Sequence, residues 1–159
     1  MHILVATDGS KQSLAAARQL KAIADPAKIT DITVVAVVSP LAAVPFANEL
    51  SGPSTGGEPT ELSFREEAET AIGVVAAEFD GWVPKVRRTL LSGSPAAEIV
   101  KLATQLPADL IVIASGSRGL SDTILLGSTA QRVQHSAPCP VLVSRPTPRA
   151  SSGRSRSTR

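Results

Sequence analysis

The sequence predicts an α/β domain: an open parallel sheet with helices on both faces. Two observations predict it. Five short apolar runs alternate with four amphipathic segments in the order β-α-β-α-β-α-β-α-β, the signature of a layered parallel sheet. Two of those runs, Ile3–Ala6 and Leu110–Ala114, are apolar throughout, as strands covered on both faces must be. A length of 159 residues suits one domain with a real core.

Each element has its own warrant. Ile3–Ala6 is followed at once by Thr7-Asp8-Gly9-Ser10 and a helix whose Ala16, Ala17, Leu20, Ile23 and Ala24 share one face. Ile32–Val38 is rich in β-branched residues and ends at Ser39-Pro40. Residues 41–60 hold Pro45, Gly52, Pro53, Gly56, Gly57 and Pro59, a loop long enough to be a lid, an interface arm or disordered. Ser63 and Glu66 have capping-box spacing. The helix behind them buries Ala68, Ala71, Ile72, Val75, Ala76 and Phe79, with Trp82 covering one end of the core. Val83–Leu91 carries Lys85, Arg87 and Arg88 and so reads as an edge strand. Ser94-Pro95 is an N-cap with proline at the first helical position, and Ile99, Leu102, Ala103 and Leu106 mark the helix that Pro107 closes. Leu110–Ala114, a small-residue loop, a helix from Ser128 to His135 and a last strand, Val141–Val143, complete the order.

Two strand ends carry the chemistry. After Ala114 come Ser115, Gly116, Ser117, Arg118 and Gly119, then Gly127 and Ser128 at the next helix start. A buried strand, a small-residue loop and a helix N-terminus present backbone N–H groups to phosphate oxygens. The alternative is a strand-to-helix turn that simply needs small residues. Asp8 stands where the first strand ends, the edge at which such folds bind ligands. Its carboxylate suits a ribose or an adenine amino group. Asp8 or Ser10 equally suits the N-cap of the following helix, and the roles are compatible.

Composition excludes several classes. With three Phe, one Trp and no Tyr, no aromatic platform for single-stranded nucleic acid can be assembled. One cysteine makes no internal disulfide, which fits a reducing compartment. No secretory leader is expected from residues 1–10, which include Asp8, and no apolar run reaches membrane-span length. A cytoplasmic setting without membrane contact is the expectation.

All fourteen acids lie at or before Asp122, whereas four of the sixteen basic residues fall after residue 148, leaving residues 1–148 at −2. The excess of positive charge therefore belongs to the tail. Residues 146–159 lack apolar periodicity and read as a disordered basic tail behind a folded domain of residues 1–145. No basic stripe in the domain supports contact with nucleic acid.

Five segments together carry a family resemblance: Ile3–Ser10, Gly93–Ile99, Ala108–Val112, Leu126–Ser128 and Ala137–Val143. In this order they resemble the universal stress protein family over residues 1 to about 145. The resemblance implies an open five-stranded parallel sheet in the order 3-2-1-4-5, Rossmann-like and adenine nucleotide alpha hydrolase-like. It also implies a homodimer paired through Val141–Val143. The strands ending at Ala6 and Ala114 would then be neighbours at the switch point.

The implied ligand is ATP or AMP, with Mg only where ATP is bound. By resemblance Ala6, Thr7 and Asp8 would contact base and ribose, Val37 would line the adenine pocket, and Ala114 and Ser115 would flank the ribose. Ser117, Gly127, Ser128 and Thr129 would hold the phosphates, and valine at Gly127 is expected to block them while leaving the sheet intact. ATP-binding members commonly carry G-x-x-G ahead of the G-[S/T] pair. Keeping register from Asp109 to Gly127 puts those two glycine positions on Ala114 and Ser117.

Three functions follow: a nucleotide-binding stress or regulatory protein with little or no turnover, a dimeric interaction module that has lost nucleotide, or an adenine-nucleotide hydrolase. The last lacks a second carboxylate near Asp8 in sequence. His2 and His135 lack metal-pair spacing and read as surface or satisfied histidines. Cys139, between two prolines, reads as packing, and Asp109 as a cap where a strand begins.

Overall fold

The computed structural model describes residues 1–40, 49–50, 61–116 and 126–145. The elements are β1 (His2–Ala6), α1 (Lys11–Ile23), a 3-10 turn (Pro26–Lys28), β2 (Asp31–Val38), α2 (Glu61–Ala77), β3 (Val86–Ser92), α3 (Pro95–Gln105), β4 (Leu110–Ala114), α4 (Ser128–Ser136) and β5 (Val141–Ser144). The five strands form one sheet in the order β3-β2-β1-β4-β5, with every pairing parallel. The expected fold and order are therefore observed.

Alternation along the strands sorts the core into two layers. Ile3, Val5, Val34, Ala36, Val112 and Ala114 pack with α1 and α2. Leu4, Ala6, Val35, Val37, Ile111 and Ile113 pack with α3 and α4. Phe79 is fully buried in the first layer, and its ring centroid lies 5.8 Å from that of Trp82, which half-covers this end of the core as expected.

Three local readings change. Helix α2 spans Glu61–Ala77, so Ser63 stands within helical backbone and not at the N-cap that a capping box requires; Glu61 and Leu62 ahead of it are good helix formers. The third strand starts at Val86 rather than Val83, because Pro84 has no N–H for the ladder. Pairing begins where the Lys85 carbonyl accepts the Ile32 N–H at 2.9 Å. The 3-10 turn escapes periodicity because it is three residues long. It is capped by Asp25, whose carboxylate accepts the Ala27 N–H at 3.0 Å.

The remaining polar groups are structural. His2 hydrogen-bonds the Leu106 carbonyl through Nδ1 at 3.1 Å and Thr33 Oγ1 through Nε2 at 2.8 Å, a satisfied histidine. Asp109 accepts the His2 N–H at 2.7 Å, tying the start of β4 to β1. Cys139 packs on the α3/α4 layer. Burial, and then the charge of Asp109, push its thiol above the ordinary cysteine value, so it is no activated nucleophile. The tail, residues 146–159, lies outside the described residues.

Candidate functional site

The sheet order reverses between β1 and β4, and the crevice lies beyond their carboxyl ends. On the β1 side the chain turns sharply into α1. Gly9 makes the turn with φ of +77°, a conformation that favours glycine. Ser10 is the N-cap, its Oγ accepting the Ser13 N–H at 3.2 Å. One oxygen of Asp8 accepts both the Ser10 N–H, at 3.1 Å, and the Ser10 hydroxyl. The cap is thus Ser10, and Asp8 braces it. Asp8 is exposed, and its Oδ2 makes no hydrogen bond among the described residues.

Thr7 is turned away from this edge. Its N–H donates to the Val35 carbonyl at 2.9 Å. Its hydroxyl sits in a buried relay: Gly9 N–H donates to Thr7 Oγ1 (3.2 Å), Thr7 Oγ1 to Ser13 Oγ (2.8 Å), and Ser13 Oγ to the Ser10 carbonyl (2.8 Å). Thr7 therefore has only backbone to offer a ligand. Ala114 belongs to the same α1/α2 face, and it too would reach a ligand through backbone alone.

On the β4 side pairing continues one residue past the strand, with Ser115 N–H donating to the Ser144 carbonyl at 2.8 Å. Ser115 follows Ile111 and Ile113 in alternation, which puts its side chain toward α3 and α4. Ala6 and Val37 face the same way. Ser115 is 1% exposed, and its hydroxyl is the buried side-chain polar atom left without a partner among the described residues. Gly116 then adopts φ of +66°. The left-handed position thus falls on a glycine this chain has, and Ala114 is not asked to take it.

Gly127 is held against the β4 exit by its N–H, which donates to the Ser115 carbonyl at 2.6 Å. A Cβ there would lie 2.7 Å from the Gly116 carbonyl oxygen and 2.8 Å from that of Ser115. The glycine is required by the protein's own backbone, and a valine would disturb that packing before it met any ligand. Gly127 is also the N-cap of α4 and supplies no side-chain cap, so the first-turn N–H groups of Ser128 and Thr129 have no intrahelical acceptor. The helix end carries positive potential. Ser117 and Arg118 lie outside the described residues.

The structure adds one acidic residue that the sequence did not single out. Glu49 Oε2 accepts the Lys11 N–H at 2.8 Å, and Leu50 packs on the α1/α2 core. Two carboxylates, Asp8 and Glu49, are thus tied to the amides of consecutive residues where α1 begins. Among the described residues no three potential metal ligands cluster, and no helix is long and apolar enough to cross a membrane.

A doubly wound parallel sheet with a ligand crevice at its switch point is a class of binding fold. Within it, residues 1–145 match the Universal stress protein family, and the chain belongs to that family. The universal stress protein MJ0531 of Methanocaldococcus jannaschii is 37% identical over 145 residues, covering 89% of this chain and 79% of that one. The solved structure of the hypothetical protein MJ0577 superposes with a TM-score of 0.70 at 27% identity, covering 92% of this chain and 96% of the other. An Arabidopsis thaliana family member, solved with AMP bound, shares the fold at a TM-score of 0.64 and 16% identity, with 93% of each chain covered.

Proposed function

We propose that the chain is a regulatory protein that binds an adenine nucleotide, AMP or ATP, across the ends of β1 and β4, with little or no turnover. The observation that carries this reading is the buried Ser115 hydroxyl, without a partner among the described residues, on the face shared by Ala6, Val37 and the start of α4. Leaving such a hydroxyl unpaired costs about 1–3 kcal/mol, which a ligand hydrogen bond would recover. Ala6 and Val37 supply an apolar wall for the base. Asp8 Oδ2 accepts from ribose or base, Thr7 and Ala114 contribute backbone, and the N–H groups of Ser128 and Thr129, with Gly127 close behind them, receive phosphate. Ser117 belongs to the same proposal, and Mg accompanies ATP only. The AMP carried by the plant relative supports the choice of ligand. Asp8 and Glu49 each hold one backbone amide at the start of α1 through one carboxylate oxygen.

Calorimetry with AMP tests the assignment through Asp8→Ala. Loss of the acceptor is expected to weaken binding by about 1–3 kcal/mol. Asp8→Asn, which keeps an acceptor for Ser10, is expected to bind more tightly than the alanine variant. Equal affinity in parent and Asp8→Ala would remove Asp8 from the site.

The same reading includes a homodimer. Val141, Leu142 and Val143 are half-buried on a strand that, among the described residues, pairs only with β4, and an apolar edge of this kind is a liability unless paired. Two-fold pairing of β5 satisfies both copies at once. Sedimentation is expected to give a dimer at micromolar concentration, and a monomer alone would count against it.

A further inference from the structure

A second polar feature lies on the opposite face of the sheet. Ser144 pairs with Ala114 across β4 and β5, so its side chain points toward α1, as that of Ala114 does. Ser144 is 6% exposed, and what it exposes faces a groove. This groove of about 180 Å³ opens between α1 and the end of β5, lined by Lys11, Gln12, Ala15, Ser144 and Arg145.

The groove lining holds two cationic residues and no acidic one. Neither Lys11 nor Arg145 forms an ion pair among the described residues, and no carboxylate lines the cavity. Glu49 already occupies the Lys11 backbone N–H, so the start of α1 adds nothing and recognition rests on side chains. This lining suits one tetrahedral oxyanion: arginine forks onto two oxygens, lysine adds a point charge, and the serine hydroxyl and glutamine amide donate. We propose that this groove binds a phosphoryl group, as inorganic phosphate or on a small metabolite, independently of the nucleotide crevice on the α3/α4 face.

Calorimetry on the full chain tests this with orthophosphate and glycerol 3-phosphate, against sodium chloride at matched ionic strength. Saturable binding is expected for the parent. It is expected to weaken at least about tenfold in Lys11→Gln/Arg145→Gln, the equivalent of one lost charged contact. Ser144→Ala should weaken it less. Melting without phosphate should be close to the parent's in the double variant, since neither side chain is ion-paired among the described residues, and AMP affinity should not change. Equal affinity for the two probes identifies free phosphate, and tighter glycerol 3-phosphate a metabolite. Absence of saturable binding overturns the proposal. So does a double variant that binds like the parent, or displacement of orthophosphate by AMP, which would return the anion to the nucleotide crevice.

Discussion

A Gly127→Val variant is expected both to lose adenine-nucleotide binding and to melt below the parent. The Cβ would meet the Gly116 and Ser115 carbonyl oxygens at 2.7 and 2.8 Å, and neither can move without shifting the β4 exit. Overpacking of this kind costs about 1–3 kcal/mol, or roughly 2–12 °C for a domain of this size. Because the first side-chain carbon already overlaps backbone, Gly127→Ala should show most of the same loss. A ligand-blocking role alone would instead give a mild alanine, a severe valine and no change in melting. Thermal melts of the two variants, with and without AMP, separate these accounts. An unchanged melting temperature in both would contradict the packing described at this position.

Phe79→Ala is expected to give the largest loss of stability. Phe79 heads the fully buried side chains at 0% exposure and packs beside Trp82 in the α1/α2 layer. Emptying such a site costs about 3–5 kcal/mol, because transfer free energy is lost and the cavity collapses only partly. The residue lies between α2 and the start of β3, at the edge of the sheet opposite the crevice. Nucleotide affinity measured well below the melt should therefore match the parent. Chemical denaturation supplies the stability change, and a loss below about 1 kcal/mol would mean that this end of the core is not closed as described.

How much the sequence disclosed depended on how far each signal reached. β4 is read to the residue because five apolar residues run between Asp109 and the small-residue loop, and period alone settles it. Ser63 is misread as a cap because spacing alone does not show where helical backbone begins, and Glu61 and Leu62 ahead of it are already helical. At the site, residue identity was legible and side-chain direction was not. Thr7 and Asp8 are adjacent, yet the Thr7 hydroxyl turns inward to Ser13 while Asp8 stays exposed. Glycine and serine content marked the loop after β4 as a candidate phosphate site, whereas the structural reason for Gly127 is a non-local contact with the β4 exit. Glu49 was out of reach for the same reason: its partner Lys11 is 38 residues away across the sheet edge.

The central claim is that an adenine nucleotide occupies the crevice where Ser115, Ala6, Val37 and the start of α4 converge. Titration calorimetry of the unmodified chain with AMP, and with ATP in the presence of Mg, tests it most directly. The account predicts saturable binding of one nucleotide per chain, with Ser115→Ala weaker by about 1–3 kcal/mol. No heat of binding at millimolar AMP or ATP would contradict it and leave a dimeric interaction module of the same fold.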